Sequence, residues 1–193
     1  MFREWPIFLA GLAGLAALYL GLHTHIGGSE DHWGHAARYT ARVGFPFFII
    51  TYSASSLARL WPNDTTRSLL RNRKWWGLAF ATTHTVHLYA LIHVLLEMQD
   101  PDWLYFAPAF FAYAVLYAMA LTSWSWAYRT MGKWWKRLHT FGIHYLWLIF
   151  AAAYFLRALD PQTRIIGMVA FAIALGALGL RIAVWRRAQA KRA

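Results

Sequence analysis

Residues 71–80 read Arg71-Asn72-Arg73-Lys74-Trp75-Trp76-Gly77-Leu78-Ala79-Phe80, and the run continues through His84, His87 and His93 to Leu96. A basic cluster meets two tryptophans and then about twenty mostly apolar residues, the length that crosses a bilayer as a helix. The interruptions are imidazoles, which are costly in hydrocarbon unless they are hydrogen-bonded or bind a metal. Fifty residues on, Gly132-Lys133-Trp134-Trp135-Lys136-Arg137-Leu138-His139 opens another apolar run in the same way. Two helices that enter a membrane from one side, each led by cations and tryptophans and each carrying a histidine, can hold a metal or haem iron between them.

Composition agrees with a lipid solvent. Of 193 residues 59% are hydrophobic, 12 are tryptophan and only 14% are charged, more apolar surface than a water-soluble domain of this size can hide. The net charge of +11 sits in short clusters between apolar runs, so no basic domain is left to grip nucleic acid. There is no cysteine, which excludes disulfides, iron–sulfur clusters and thiolate haem ligands. Met1 to Leu22 has no small-residue cleavage site and reads as a retained span.

Six apolar segments of spanning length are expected: Ile7 to Leu22, Tyr39 to Leu60, Trp75 to Leu96, Leu104 to Trp126, Leu138 to Leu156 and Ile165 to Trp185. Backbone groups in hydrocarbon must be paired within their own segment, so the expected fold is an all-α integral membrane bundle of six helices. Nothing else is long enough to fold separately, and residues 1–193 read as a single domain. Pro46 should kink the second span, whereas Pro62, Pro101 and Pro161 fall at helix ends. Gly11, Gly14, Gly176 and Gly179 are expected to let helices approach closely.

Lys and Arg set the orientation. Arg67, Arg71, Arg73 and Lys74 lie in the second loop, Arg129, Lys133, Lys136 and Arg137 in the fourth, and Arg186, Arg187, Lys191 and Arg192 at the C-terminus. With six spans all three clusters share one side, which places them, and both termini, in the cytoplasm. Arg38 and Arg42 break the pattern at the outer end of the second span, and the break predicts a partner for them. They are natural partners for an anionic group such as a haem propionate, or else they reach for outer headgroups.

Nine histidines fall into three groups. His84 and His87 share one face of the third span and His93 turns away, while His139 and His144 on the fifth span point apart at 100° per residue. One histidine from each helix is therefore available to a common ligand. The alternative is an interhelical hydrogen bond to a nearby Ser, Thr or Tyr. With no carboxylate or thiolate beside them, the imidazoles favour bis-histidine haem over zinc or non-haem iron. In the first outer loop His23, His25, His32 and His35 with Glu30 and Asp31 form a second candidate metal site, for Cu²⁺ or Zn²⁺, although the spacing matches no metal motif.

The run Arg73-Lys74-Trp75-Trp76-Gly77-Leu78-Ala79-Phe80, with His87 ten residues after the glycine, resembles a signature of the ferric-reductase-like transmembrane family. Leu121-Thr122-Ser123, then Arg129, then Gly132-Lys133 followed by Trp135, Arg137, Leu138 and His139, is similar to that family's second signature almost position for position. The resemblance covers about Arg71 to Leu156 and is strongest to the bacterial branch, haem-binding subunits of a periplasmic methionine-sulfoxide reductase system. It implies a bacterial inner-membrane protein with haem b between the third and fifth helices and iron ligated by His87 and His139. His84, one turn shallower on the same face, is the alternative ligand. Members with two stacked haems carry further histidines where this chain has Pro101 and Ala152. The resemblance therefore implies one haem here, toward the cytoplasmic side.

Bis-histidine ligation closes both axial positions and favours electron transfer over oxygen chemistry. There is no Gly-x-Gly-x-x-Gly segment for a nicotinamide or flavin, so electrons must come from quinol or a cytoplasmic reductase; a flavin bound in another way is left open. Trp103, Tyr105, Phe106 and Tyr154 are candidates for a quinone pocket or, as readily, an interfacial belt. The expected function is a redox subunit that passes electrons to a periplasmic reductase or to ferric iron, enzymatic only together with partner proteins. The alternative is a non-catalytic haem-binding sensor or subunit of a larger membrane complex.

Overall fold

The computed structural model describes residues 4–23 and 31–191, and among them it contains only helices. Eight are present: α1 (Trp5–Leu22), α2 (His32–Leu60), α3 (Asp64–Arg71), α4 (Arg73–Glu97), α5 (Trp103–Leu121), α6 (Ser125–Met131), α7 (Lys133–Leu159) and α8 (Arg164–Ala190). All except the short α3 and α6 are long and apolar enough to cross a membrane, and they are the six expected spans. Large apolar side chains stand bare on them, with Leu104 84% and Ile165 79% exposed, as hydrocarbon rather than water would allow.

Two compact units share α2. The first holds residues up to Thr51 and from Asn72 to Tyr105, and in it α1 packs along α4. The buried face of α1 consists of Pro6, Ala10, Gly14, Ala17 and Gly21, a small-residue stripe at helical spacing. Gly14 sits where a Cβ would touch Val86, and Gly21 lies so near the Ala36 backbone of α2 that any side chain would overlap it. α2 begins seven residues before the expected span. Asp31 caps it by accepting the Gly34 N–H at 2.8 Å, which holds the first turn together beyond the apolar run. Pro46 lies inside α2, and Arg73 of α4 donates from Nε to the Thr51 carbonyl at 3.0 Å.

The second unit spans Tyr52–Arg71 and Phe106–Ala193. Here the fourth span ends at Leu121 rather than at the expected Trp126. The Thr122 and Ser123 hydroxyls donate to the Ala118 and Met119 carbonyls at 2.6 and 2.7 Å, and the chain turns extended at Trp124 before α6 starts. Gly132 then joins α6 to α7 at φ +51°, ψ −119°, a conformation open only to glycine, and it is the one described residue with positive φ. α3 carries a mutual cap: Asn63 Oδ1 accepts the Thr66 N–H at 2.9 Å while Thr66 Oγ1 accepts the Asn63 N–H at 3.1 Å.

α7 and α8 pack along each other through Gly167, Ala170, Ala174 and Ala177 of α8, and the Trp147 indole donates to the Ala174 carbonyl at 2.9 Å. Gly176 and Gly179, expected to be contact glycines, instead face open space. The contact stripe runs through 167, 170, 174 and 177, which turns 176 and 179 off it. A Cβ at Gly167 would overlap the Ala158 backbone, which cannot rotate away. Gly167→Val is therefore expected to lower the thermal midpoint of detergent-solubilised protein by several degrees and Gly176→Val to leave it alone. Equal midpoints for the two variants would contradict this packing.

Candidate functional site

In the first unit the two candidate imidazoles of α4 meet different surroundings. His84 is buried, 8% exposed, with its ring against Phe80 at 4.3 Å and beneath Gly44 of α2, where a Cβ would overlap the ring. Glycine at 44 is what lets α2 close over this histidine. His87, one turn on and half-buried, places Nδ1 3.2 Å from Thr40 Oγ1 of α2. The Thr40 hydroxyl donates to the Ala36 carbonyl at 2.7 Å, so its oxygen is the acceptor for an N–H from His87 Nδ1. That leaves Nε2 with the lone pair.

The second unit builds a parallel arrangement from other residues. Thr122, at the end of α5, donates to the Ala118 carbonyl and stands 3.1 Å from His139 Nε2, so it accepts an N–H from that nitrogen and leaves the lone pair on Nδ1. Trp135 stacks on the His139 ring at 4.0 Å and 22° and donates from Nε1 to the Thr122 carbonyl at 2.8 Å. The residues of the second signature thus have physical work: Thr122 holds one ring nitrogen, Trp135 braces the ring and the threonine together, and Gly132 supplies the turn that sets α7 on its course. Arg137 lies outward over the Trp134 ring at 4.7 Å.

The donor chemistry of His87 suits haem: it gives Nδ1 to a threonine hydroxyl and keeps Nε2 as a base, which is how iron-bound imidazoles are usually supported. His139 gives Nε2 to Thr122 instead, a bond it would exchange for iron on ligating through that nitrogen. On α2, Arg38 and Arg42 stand two residues before and after Thr40, on nearly the opposite face of the helix, and the Nε of each is buried without a hydrogen bond. A buried guanidinium N–H left unbonded suits an anionic oxygen such as a propionate. Arg38 pairs with Asp31, its Nη2 meeting Asp31 Oδ2 at 3.0 Å and lying 3.4 Å from His35 Nδ1. Arg42 lies over the Tyr39 ring at 5.7 Å.

The other histidines divide. His93 stacks on Trp33 at 3.9 Å and 9°, an aromatic contact that needs no metal. His23 donates from Nδ1 to the Tyr19 carbonyl at 2.9 Å and stacks on that ring. Of the outer-loop quartet, His25 lies outside the described residues, as does Glu30; among the described residues no three His, Asp or Glu side chains come together as a metal site. Trp103 and Tyr105 are 62% and 69% exposed, as an interfacial belt would be, whereas Tyr154 is buried and stacked with Phe150.

Sequence reading missed two features. Thr40 carries no periodic signal and is visible only once α2 and α4 are packed. Arg181 was readable, being a cation inside the last apolar run. Its Nε and Nη2 donate to the Tyr52 carbonyl at 3.3 and 3.1 Å, its guanidinium lies over the Tyr52 ring at 4.1 Å, and Nη1 donates to His144 Nε2 at 3.3 Å. His144 Nδ1 in turn reaches the Tyr52 hydroxyl at 3.2 Å, so this histidine is accounted for by hydrogen bonds.

Comparison with known proteins gives one consistent result. The chain is 30% identical over 197 residues to the protein-methionine-sulfoxide reductase heme-binding subunit MsrQ of Salmonella paratyphi B, an alignment that takes in 94% of this chain and 92% of that protein. The subunits of the same name from Salmonella newport and Salmonella heidelberg match with the same identity and coverage. No family model matches the chain. No solved structure matches it either.

Proposed function

Because the chain belongs to the MsrQ family of heme-binding subunits, we propose that it is the haem b-carrying membrane subunit of a methionine-sulfoxide reductase system. In this reading it takes electrons from quinol or a cytoplasmic reductase and passes them to a periplasmic reductase. The observation that carries the proposal is a threonine hydroxyl beside each of two histidines, Thr40 at His87 Nδ1 and Thr122 at His139 Nε2. These two would hold the haem iron, and His84 is set aside because Gly44 closes over its ring. The bound haem supplies a one-electron carrier within the hydrocarbon.

What the chain's own residues do follows from the geometry. Thr40 fixes the proton on Nδ1 of His87, orients the ring and raises the basicity of Nε2. Trp135 restrains the His139 ring from turning. Arg38 and Arg42 would offer their unbonded Nε–H groups to propionates and lower the cost of holding that charge near lipid. The basic clusters around Arg71, Arg73, Arg129, Lys133, Arg186 and Arg187 orient the chain with its termini in the cytoplasm of an inner membrane. Ferric iron is the other acceptor this chemistry would serve.

Purified protein is expected to bind about one haem per chain by pyridine haemochrome. It should be reduced by a quinol analogue or a reductase and reoxidised by an added periplasmic reductase. A colourless protein from haem-replete cells would overturn the proposal, two haems per chain would overturn the single site, and stable reduction beside the acceptor would favour a sensor. Thr40→Val is expected to weaken haem retention about 10–100-fold, and Thr40→Ser to restore it. Haem capture by excess apomyoglobin measures this; a wild-type loss rate in the valine variant would remove Thr40 from the site.

A further inference from the structure

A second polar feature of the molecule lies apart from these histidines, in the second unit. The last turns of α2, His144 of α7 and the end of α8 enclose a groove of about 420 Å³. Its polar wall carries Ser55, Ser56 and Arg59 of α2 and Arg181 of α8, and its apolar wall includes Ile182 and Trp185. Two guanidinium groups line it and no carboxylate does.

Such a groove lacks charge balance. Arg181 is fixed by neutral acceptors, the Tyr52 carbonyl and His144 Nε2, which hold the guanidinium in place and leave its charge uncompensated. Its Nη atoms each keep a further N–H beyond these bonds. Arg59 is exposed at the end of α2, one residue from the helix terminus. A cation held one turn inside Trp185 sits at the depth where hydrocarbon meets headgroups, about 6 Å along the helix from that ring. Unbalanced cations there are stabilised by an anion that can come from the membrane itself.

We propose that this groove binds an anionic phospholipid of the leaflet facing the basic C-terminal cluster. Arg59 and Arg181 take the headgroup phosphate, Ser55 and Ser56 offer it hydroxyl donors, and one acyl chain lies along Ile182 and Trp185. Two features favour a lipid over a soluble anion: the groove runs from a cationic wall to an apolar one, and the apolar wall continues into the bare face of α8, where Leu175 and Ile182 are exposed one above the other.

The test uses full-length protein, delipidated in mild detergent and offered phosphatidylglycerol, phosphatidylcholine or inorganic phosphate, with bound molecules counted by native mass spectrometry. Wild type is expected to retain one phosphatidylglycerol in preference to phosphatidylcholine. Arg59→Gln and Arg181→Gln should each lower that preference about fivefold. Arg187→Gln, exposed in the last turn of α8 and outside the groove's lining, should leave it unchanged. Since Arg181 also ties α8 to α2, Arg59→Gln is the deciding variant, checked for an unchanged helical circular dichroism spectrum. Equal retention of the two lipids, or an unaltered preference in Arg59→Gln, would overturn the proposal. So would inorganic phosphate displacing the lipid at millimolar concentration, which would make the site one for a soluble anion.

Discussion

His87→Ala and His139→Ala are each expected to abolish the Soret band of the purified protein, and His84→Ala to keep it. On the proposed ligation, removing either imidazole would leave the iron one ligand short, and no thiolate could take its place because the chain has no cysteine. His84 can go because it packs beneath Gly44, while His87 has its Nδ1 taken by Thr40 and Nε2 left as the base. Loss of the His84 ring leaves a void and costs about 1–3 kcal/mol of stability without touching iron. Haem per chain, read together with the thermal midpoint, separates the two effects. A full Soret band in His87→Ala alongside a colourless His84→Ala would transfer the ligand one turn along α4.

The second large effect is expected at Gly44, where even a methyl group overlaps the His84 ring. Gly44→Ala must push either that ring or α4 itself, and overpacking of this kind costs about 1–3 kcal/mol. His87 follows α4 by one turn, so haem retention should fall together with the thermal midpoint. The double variant Gly44→Ala/His84→Ala removes the ring that the new methyl strikes. It should recover both stability and colour, a coupling between neighbours that two independent lesions would not show. If the double variant stays as unstable as the sum of the singles, the contact between Gly44 and His84 does not govern this part of the fold.

The six spans were legible because hydrocarbon demands length and apolarity, and both are written in composition. The ends were less so. Trp124 and Trp126 look apolar and extended the fourth span on paper, but the helix stops at Leu121, where Thr122 and Ser123 turn their hydroxyls back onto helix carbonyls. α3 and α6 were not foreseen because both are short, α3 being charged and held by its Asn63–Thr66 cap and α6 being only 7 residues after the break at Trp124. At the candidate site His87, His139, Thr122, Trp135 and Gly132 were in view through the resemblance to the ferric-reductase-like signatures. Thr40 was not, since a hydroxyl forty-seven positions upstream of its histidine leaves no trace in a linear pattern. Gly176 and Gly179 show the reverse error: small residues at the right interval were read as a contact, and only the rotation of α8 decides which interval faces a neighbour.

The pairing of α1 with α4, set against that of α7 with α8, bears on the order in which the chain is assembled. The last two spans are neighbours in sequence and can dock as soon as the second of them leaves the ribosome. The first must wait for the third span before its small-residue face is covered, a delay on the order of ten seconds at ordinary rates of synthesis. During that interval it stands alone in the bilayer, which its lack of any charged residue between Trp5 and Leu22 allows. A polar substitution on that face would thus be felt first by the insertion machinery, before the finished protein exists to be destabilised.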